Sequence, residues 1–289
     1  MTQAAGNSVR NVAAATRLQR LVDRHGDAGS LAEGALLIAQ EVYPEIDIDH
    51  YLARLDMLGT ILKARLPNAA GNVERILALN RFLFVEHEFA PDSDDFTDPR
   101  NSFLNEVLDR KRGIPITLSI VYIEVGRRIG LPLDGLSFPQ HFLVRCTLPD
   151  GVAVIDPFQS GASLSIEELQ RRLGALRQGH RPSRAEVSAL LVAASRREIL
   201  SRVLRNLKAV YLEREQFDHA LVAADRILML TPNVATEIRD RGWLYRRLDC
   251  FAAALADYRR YLELAPLAPD ADDAREALIE LERLAARLN

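Results

Sequence analysis

A histidine and an aspartate fifteen residues apart are the pair in this sequence best placed to share a proton. His141 opens the stretch His141-Phe-Leu-Val-Arg145, and Asp156 closes Val154-Ile-Asp156. Between them, Pro149-Asp150-Gly151 reads as a tight turn. Two strands would then run antiparallel and bring Asp156 back to the sheet end that carries His141. A carboxylate that orients an imidazole is the base half of a nucleophilic triad. On spacing alone, the same two residues could simply end two strands. The other histidines (His25, His50, His87, His180 and His219) form no ligand pair at helical spacing, so no metal is expected. His87, between Glu86 and Glu88, reads as a solvated surface cluster, because adjacent residues do not share a helix face. No glycine fingerprint for phosphate binding occurs, so no nucleotide cofactor is expected.

The elements that must hold this pair can be read from period and punctuation. Helices are expected near 8–24, 30–42, 47–65 and 72–87. The third places Ile48, Leu52, Leu55, Leu58, Ile61 and Leu62 at helical spacing, and Pro44, Pro67 and Gly71 separate the segments. Ala90 to Pro99 is acidic and turn-rich, so a loop is expected there. Asn101 to Asp109 follows as a short helix closed by Arg110-Lys111-Arg112-Gly113. Residues 114–130 carry two signals. Ile114, Ile116, Leu118 and Ile120 alternate as a strand would, yet the apolar run is long for one. Pro115 suits a first helical turn, and Arg127, Arg128 and Gly130 suit a C-terminus, so a buried helix is expected. Strands are expected near 134–138, 141–147 and 152–155. Ser165 with Glu168 reads as a capping box that opens another helix.

Further along, the chain repeats itself. Tyr211, Ala220 and Pro232 recur 34 residues later as Tyr245, Ala254 and Pro266. That is the period of the tetratricopeptide repeat, a helix–turn–helix unit. Repeats are expected at 201–234 and 235–268, with a capping helix over 270–289. Leu204 and Leu207 take early apolar positions, Gly242 the point of close helix approach, and Tyr258 the aromatic of a second helix. Lys208, Ala224 and Arg241 depart from the pattern, standing where a small residue, an aromatic and a leucine are usual. The first helix of each pair lines a concave groove. Its inward positions fall on Arg202, Arg205, Ala209 and Leu212, then on Thr236, Arg239, Trp243 and Arg246. An arginine-rich groove with one tryptophan suits an acidic or carboxylate-ended peptide, through bidentate contacts and stacking. Alternatively, these arginines pair with the chain's own acids, such as those of the Asp92-to-Asp95 loop.

Four stretches carry a family resemblance: Asp98-Pro-Arg-Asn-Ser-Phe-Leu-Asn105, Arg112-Gly-Ile-Pro-Ile-Thr-Leu-Ser119, Pro139-Gln-His-Phe-Leu143 and Ile155-Asp-Pro-Phe158. Their wording resembles the transglutaminase-like core of the SirB-type branch, which pairs a helical leader and this core with C-terminal tetratricopeptide repeats. The resemblance implies an α+β, predominantly α fold, in which a helix packs on a small antiparallel sheet in a papain-like manner. It also implies a cysteine at the helix start, presented to a histidine and an aspartate on the sheet. His141 and Asp156 match those two residues. The nucleophile does not match. Counted back from Gly130-Leu131-Pro132, its position falls on Pro115, which has neither a thiol nor an amide hydrogen. Cys146 lies five residues along the strand from His141, on the opposite face, and reads as a small buried hydrophobe. Cys250 falls in the repeats near a turn. Ser119, one helical turn beyond Pro115, and Thr117 remain as substitute nucleophiles. Both also suit helix packing and first-turn hydrogen bonding.

Composition sets the outer limits. The 289 residues carry 37 basic and 40 acidic side chains, 48% hydrophobic residues and two cysteines. That balance gives no footprint for nucleic acid or an anionic membrane, and two cysteines cannot build a disulfide framework. Met1 to Asn11 is polar and lacks a signal peptide's apolar stretch, so a cytoplasmic protein is expected. The organisation expected is a helical leader over 1–90, a core over 91–185 and a repeat region over 186–289. The leading expectation is a non-catalytic regulatory module that binds a protein or peptide through its repeat groove. The alternative is a hydrolase or amide-transferring enzyme using Ser119 or Thr117 with His141 and Asp156.

Overall fold

Pro115 begins helix α6 (Pro115–Arg128), whose side chains are almost all buried, so the ambiguous stretch is helix. Proline suits that first position because no helical partner awaits its missing amide hydrogen. The computed structural model describes residues 13–23, 30–92, 95–177 and 182–288. It divides into two compact units, residues up to Val203 and residues from Leu204 on. The stretch 1–12, His25 and His180 lie outside the described residues, as do both ends of the expected 8–24 helix.

The first unit begins with helical residues 13–23 (α1), α2 (Leu31–Ala39), α3 (Ile48–Arg65) and α4 (Asn72–Asn80). Ser30 and Asp47 cap α2 and α3 by accepting from Glu33 N and His50 N. A buried carboxylate ties α2 to α6. Glu124 accepts from the Ala32 amide at 2.9 Å and pairs with Arg128 at 2.6 Å, so its charge is compensated twice. Two short strands, β1 (Ala90–Pro91) and β2 (Arg112–Gly113), pair in parallel on either side of α5 (Leu104–Arg110).

The main sheet runs β3 (Leu133–Phe138), β4 (His141–Leu148), β5 (Gly151–Asp156) and β6 (Ala162–Leu164), all antiparallel neighbours in that order. Helix α6 packs against β3 and β4. Leu169 and Leu173 of α7 (Ile166–Leu176) and Val187 of α8 (Arg184–Ala189) form a cluster with Leu136, Phe138, Leu143 and Val154 of the sheet.

Several expectations change in detail. The 72–87 helix is α-helical only to Asn80. Arg81–Glu86 then widens into a π turn, closed by His87 N donating to Phe82 O and burying Phe82 and Leu83. The Ala90–Pro99 loop starts as a strand, because Ala90 N finds Lys111 O at 2.9 Å. The 101–109 helix splits into a 3-10 turn (Pro99–Ser102) and α5, and it ends on Lys111 in the left-handed region rather than on Gly113. Ser165 caps α7 through Glu168 N, but the Glu168 carboxylate turns to Arg171 and Arg172, so the box is half formed. His87 is half-buried against the Phe82 ring, 4.3 Å between centroids, and is no solvated cluster.

Helix α9 (Arg196–Glu213) contains the division between the units. The second unit continues with α10 (Phe217–Leu230), α11 (Ala235–Arg247), α12 (Phe251–Leu264) and α13 (Ala271–Leu288). Glu215 and Asp249, one repeat length apart, both take left-handed backbone where a first helix turns into its second. A Cβ on Gly242 would lie 3.2 Å from the Asp257 Cβ, the close approach its register predicts. Ile238, Tyr258, Tyr261, Ala274 and Leu281 belong to one core cluster of this unit. Among the described residues no helix is long and apolar enough to cross a membrane.

Candidate functional site

The β4–β5 hairpin brings His141 and Asp156 together. His141 Nε2 lies 3.0 Å from both carboxylate oxygens of Asp156, which is fully buried. Facing a carboxylate places the ring proton on Nε2. No described residue hydrogen-bonds Nδ1. A third side chain joins from α7: Arg172 Nη1 donates to Asp156 Oδ2 at 2.9 Å, Nε to Glu168 and Nη2 to Gln159. Burial pushes the Asp156 carboxyl up, but His141 and Arg172 outweigh it and hold it below the usual carboxylate range. The Phe158 ring stands edge-on to His141 at 5.9 Å and to Phe96 at 6.3 Å. The turn after Asp156 is pinned from α4: Asn80 Nδ2 donates to Gly161 O, and Tyr122 Oη donates to Asn80 Oδ1.

Among the described residues, no candidate nucleophile of the first unit hydrogen-bonds to His141. Pro115, at the first position of α6, offers no acidic hydrogen. Ser119 is fully buried, and its hydroxyl has no hydrogen-bond partner among the described residues, His141 included. Thr117 is also fully buried. Its Oγ1 accepts from Ile114 N and donates to Asn101 O at 2.7 Å, which closes the first turn of α6. Cys146 is buried at the far end of β4, paired with Leu133 while His141 pairs with Phe138, and burial pushes its thiol up. Cys250 is exposed at the start of α12. Among the described residues no cluster of histidine, cysteine and acidic side chains could hold a metal ion.

In the second unit, a cavity of about 380 Å³ is lined by Arg239, Trp243 and Arg246 of α11 together with Tyr258, Asp270 and Asp273. Arg205, Arg239 and Arg246 are engaged by nearby acids of the repeats, and in the first unit Asp92 pairs with Arg110. Arg205 meets Glu237 at 2.7 Å, Arg239 meets Asp240 and Asp270, and Arg246 meets Glu280. Arg202 lies in the first unit and has a partner of its own. Lys208 and Arg241, which break the repeat pattern, pair with Glu237 and Asp240 and with Asp225 and Asp257. A signal for the acids of α13 exists in the sequence. Carrying the 34-residue register one step further puts Asp270, Asp273, Ala277 and Glu280 at the positions of Thr236, Arg239, Trp243 and Arg246. Arg172 and Asn80 carry no comparable signal, because their contacts depend on the tertiary fold, whereas Phe158 lies in one of the stretches that carry the resemblance.

A papain-like helix-on-sheet core followed by paired helices defines the class. Residues 49–205 match the transglutaminase-like superfamily and residues 207–279 the tetratricopeptide repeat. The chain belongs to the transglutaminase-like superfamily and carries C-terminal tetratricopeptide repeats. It is 41% identical over 251 residues to the UPF0162 protein of Xylella fastidiosa strain Temecula1, covering 87% of this chain and 89% of that one. It is 32% identical over 254 residues to the UPF0162 protein of Vibrio cholerae serotype O1, with 87% and 92% covered. Identity to protein SirB1 of Salmonella typhimurium strain LT2 is 24% over 254 residues, with 87% and 93% covered, and the shared organisation is SirB-type. A solved structure of menin is similar at a TM-score of 0.39, with 12% identity over 87% of this chain and 70% of that one.

Proposed function

We propose that this chain is a non-catalytic transglutaminase-like protein that works as a protein-interaction and regulatory module. The observation that carries this is Pro115: the first position of α6, where the family resemblance implies a thiol, has no nucleophilic atom. A base without a nucleophile supports no acyl transfer through a covalent intermediate. Burial of Ser119 and the two backbone bonds of Thr117 weigh against either as its replacement. His141, Asp156 and Arg172 then serve as a polar brace that joins β4, β5 and α7.

Binding falls to the repeats. Their groove takes an acidic or carboxylate-ended peptide, with Arg246 and Trp243 as the accessible contacts, while Arg205 and Arg239 are committed to structural pairs. Both cysteines are free thiols, which suits a cytoplasmic protein.

The test is to assay the purified chain and His141→Ala for hydrolysis of peptide amides and amine transfer to a glutaminyl peptide. Both are expected to stay at the rate without protein. Turnover by the chain that disappears in His141→Ala would overturn the non-catalytic reading.

A further inference from the structure

The groove of the second unit already holds carboxylates. Helix α13 continues the repeat register, and its groove positions are Asp270, Asp273, Ala277 and Glu280. Three of these four are acidic. Asp270 and Asp273 line the same cavity as Arg239 and Arg246 of α11, and Glu280 pairs with Arg246.

The pairs they make differ in how readily they exchange. Asp270 is held by Tyr261 as well as by Arg239, and Arg239 is held on its other side by Asp240. Releasing it would break several coupled hydrogen bonds. Among the described residues Glu280 makes a single hydrogen bond, its Oε2 accepting from Arg246 Nη2 at 2.7 Å, and its side chain is 56% exposed against 37% for Arg246. An exposed pair of this kind contributes little and reorganises freely. Arg246 shares the wall of the cavity with Trp243, which is 40% exposed, so displacing Glu280 opens a guanidinium beside an accessible indole.

From this geometry we infer that Glu280 is a tethered competitor: it occupies Arg246 in the empty groove, and a partner peptide's carboxylate displaces it. The inference rests on the acidic-peptide reading above. It assigns Arg246 as the docking arginine and makes affinity a difference between two carboxylates competing for one guanidinium.

Trp243 is the sole tryptophan of the chain, so its fluorescence reports the groove directly. The experiment titrates the full chain at low salt with N-acetyl-tetraglutamate bearing a free C-terminal carboxylate. Wild type, Glu280→Gln, Glu276→Gln and Arg246→Gln are compared. Glu276 is exposed on the same helix and makes the same charge change without touching Arg246. Glu280→Gln should bind two- to five-fold tighter than wild type, Glu276→Gln should match wild type, and Arg246→Gln should lose most binding. Wild-type binding that Glu280→Gln leaves unchanged, or that Glu276→Gln strengthens equally, overturns this inference alone. Absence of any Trp243 response in both wild type and Glu280→Gln overturns the acidic-peptide reading and the inference with it.

Discussion

Arg172 donates to Asp156 Oδ2 while His141 Nε2 stands 3.0 Å from the same oxygen, so one buried carboxylate anchors a guanidinium and an imidazole. In a working triad the aspartate serves the histidine. Here part of its charge is committed to α7, and the arrangement joins three elements of the fold.

Asp156→Asn tests that role. The amide keeps the shape but leaves Arg172 with Glu168 as its one remaining counter-charge and His141 with none, and the expected loss at pH 7 is about 2–3 kcal/mol. Partial exposure of Arg172 and His141 keeps the figure below that for a dry pair. The Asp156 carboxyl is held below its ordinary value in the fold despite its burial, so its stabilisation is complete above that ordinary value, about 3.9. It disappears as pH falls through the depressed folded value. Urea midpoints of wild type and Asp156→Asn should therefore differ at pH 7, begin to approach one another only below roughly pH 4, and converge once pH has fallen through the depressed folded value. A gap that is the same at both ends of the range would show that Asp156 acts through packing alone.

A cysteine placed at position 115, where the family resemblance implies one, tests whether His141 is aligned with the start of α6. In Pro115→Cys, the new side chain sits at the N-terminal end of α6, where the helix dipole favours a thiolate. If the vacant His141 Nδ1 faces it, its pKa should drop below about 7 and alkylation by iodoacetamide should persist at pH 6. The exposed Cys250 provides the internal comparison, mapped by peptide mass. Reactivity at position 115 should fall at least tenfold on adding His141→Ala. Reactivity equal to that of Cys250, with or without His141, would mean that the base and the helix end are no longer in register.

Gly161 holds the turn behind Asp156. Its φ is +78°, and a Cβ there would lie 2.1 Å from Asn80 Oδ1. Gly161→Ala should cost roughly 2–4 kcal/mol, combining backbone strain with displacement of Asn80. Repeating the change in an Asn80→Ala background separates the two, because the clash is gone and only the strain remains. A coupling of about 1 kcal/mol or more by thermal melts is expected.

Periodic features were legible in the sequence and lateral ones were not. The turn at Pro149-Asp150-Gly151, the short strands on either side of it and the 34-residue recurrence of Tyr211, Ala220 and Pro232 are written in local sequence or period, so they survive without knowledge of packing. Strand β6 spans only Ala162–Leu164 and exists through its pairing with β5, which no local pattern announces. Arg172 reaches Asp156 across sixteen residues, and Tyr122 reaches Asn80 across forty-two. Such contacts are fixed by how α7, α4 and α6 lie on the sheet. His87 shows the same limit: its acidic neighbours suggest solvent, while the π turn folds it against Phe82.

That placement gives His87 a distinct titration. Burial lowers its pKa from the usual 6.5, and the Lys111 ammonium adds to the effect. The neutral ring is thus favoured in the fold. Its contribution to stability is present above pH 6.5 and is lost as pH falls through the lowered value. A proton NMR titration should place His87 below 6.5, and Lys111→Gln should raise it. A value at or above 6.5 in the wild type would return His87 to the solvated surface.

Arg241 supplies a test in which the repeat pattern and the structure disagree. Leucine is usual at its position, so pattern alone favours Arg241→Leu as a stabilising change. In this chain Arg241 grips Asp257 with two hydrogen bonds of 2.8 Å and reaches Asp225 at 2.9 Å, and Asp257 is buried. Leucine would remove the only guanidinium shown bonding that carboxylate, and leaving a buried charge uncompensated costs more than an added apolar contact returns. The expected result is destabilisation by about 2–3 kcal/mol. Removing the acid as well, in Arg241→Leu/Asp257→Ala, should recover at least half of that loss, since no carboxylate is left stranded. Stability from urea unfolding of both variants decides the matter. A gain from Arg241→Leu alone would mean that the pair is dispensable and that the departure from the pattern has no structural cause.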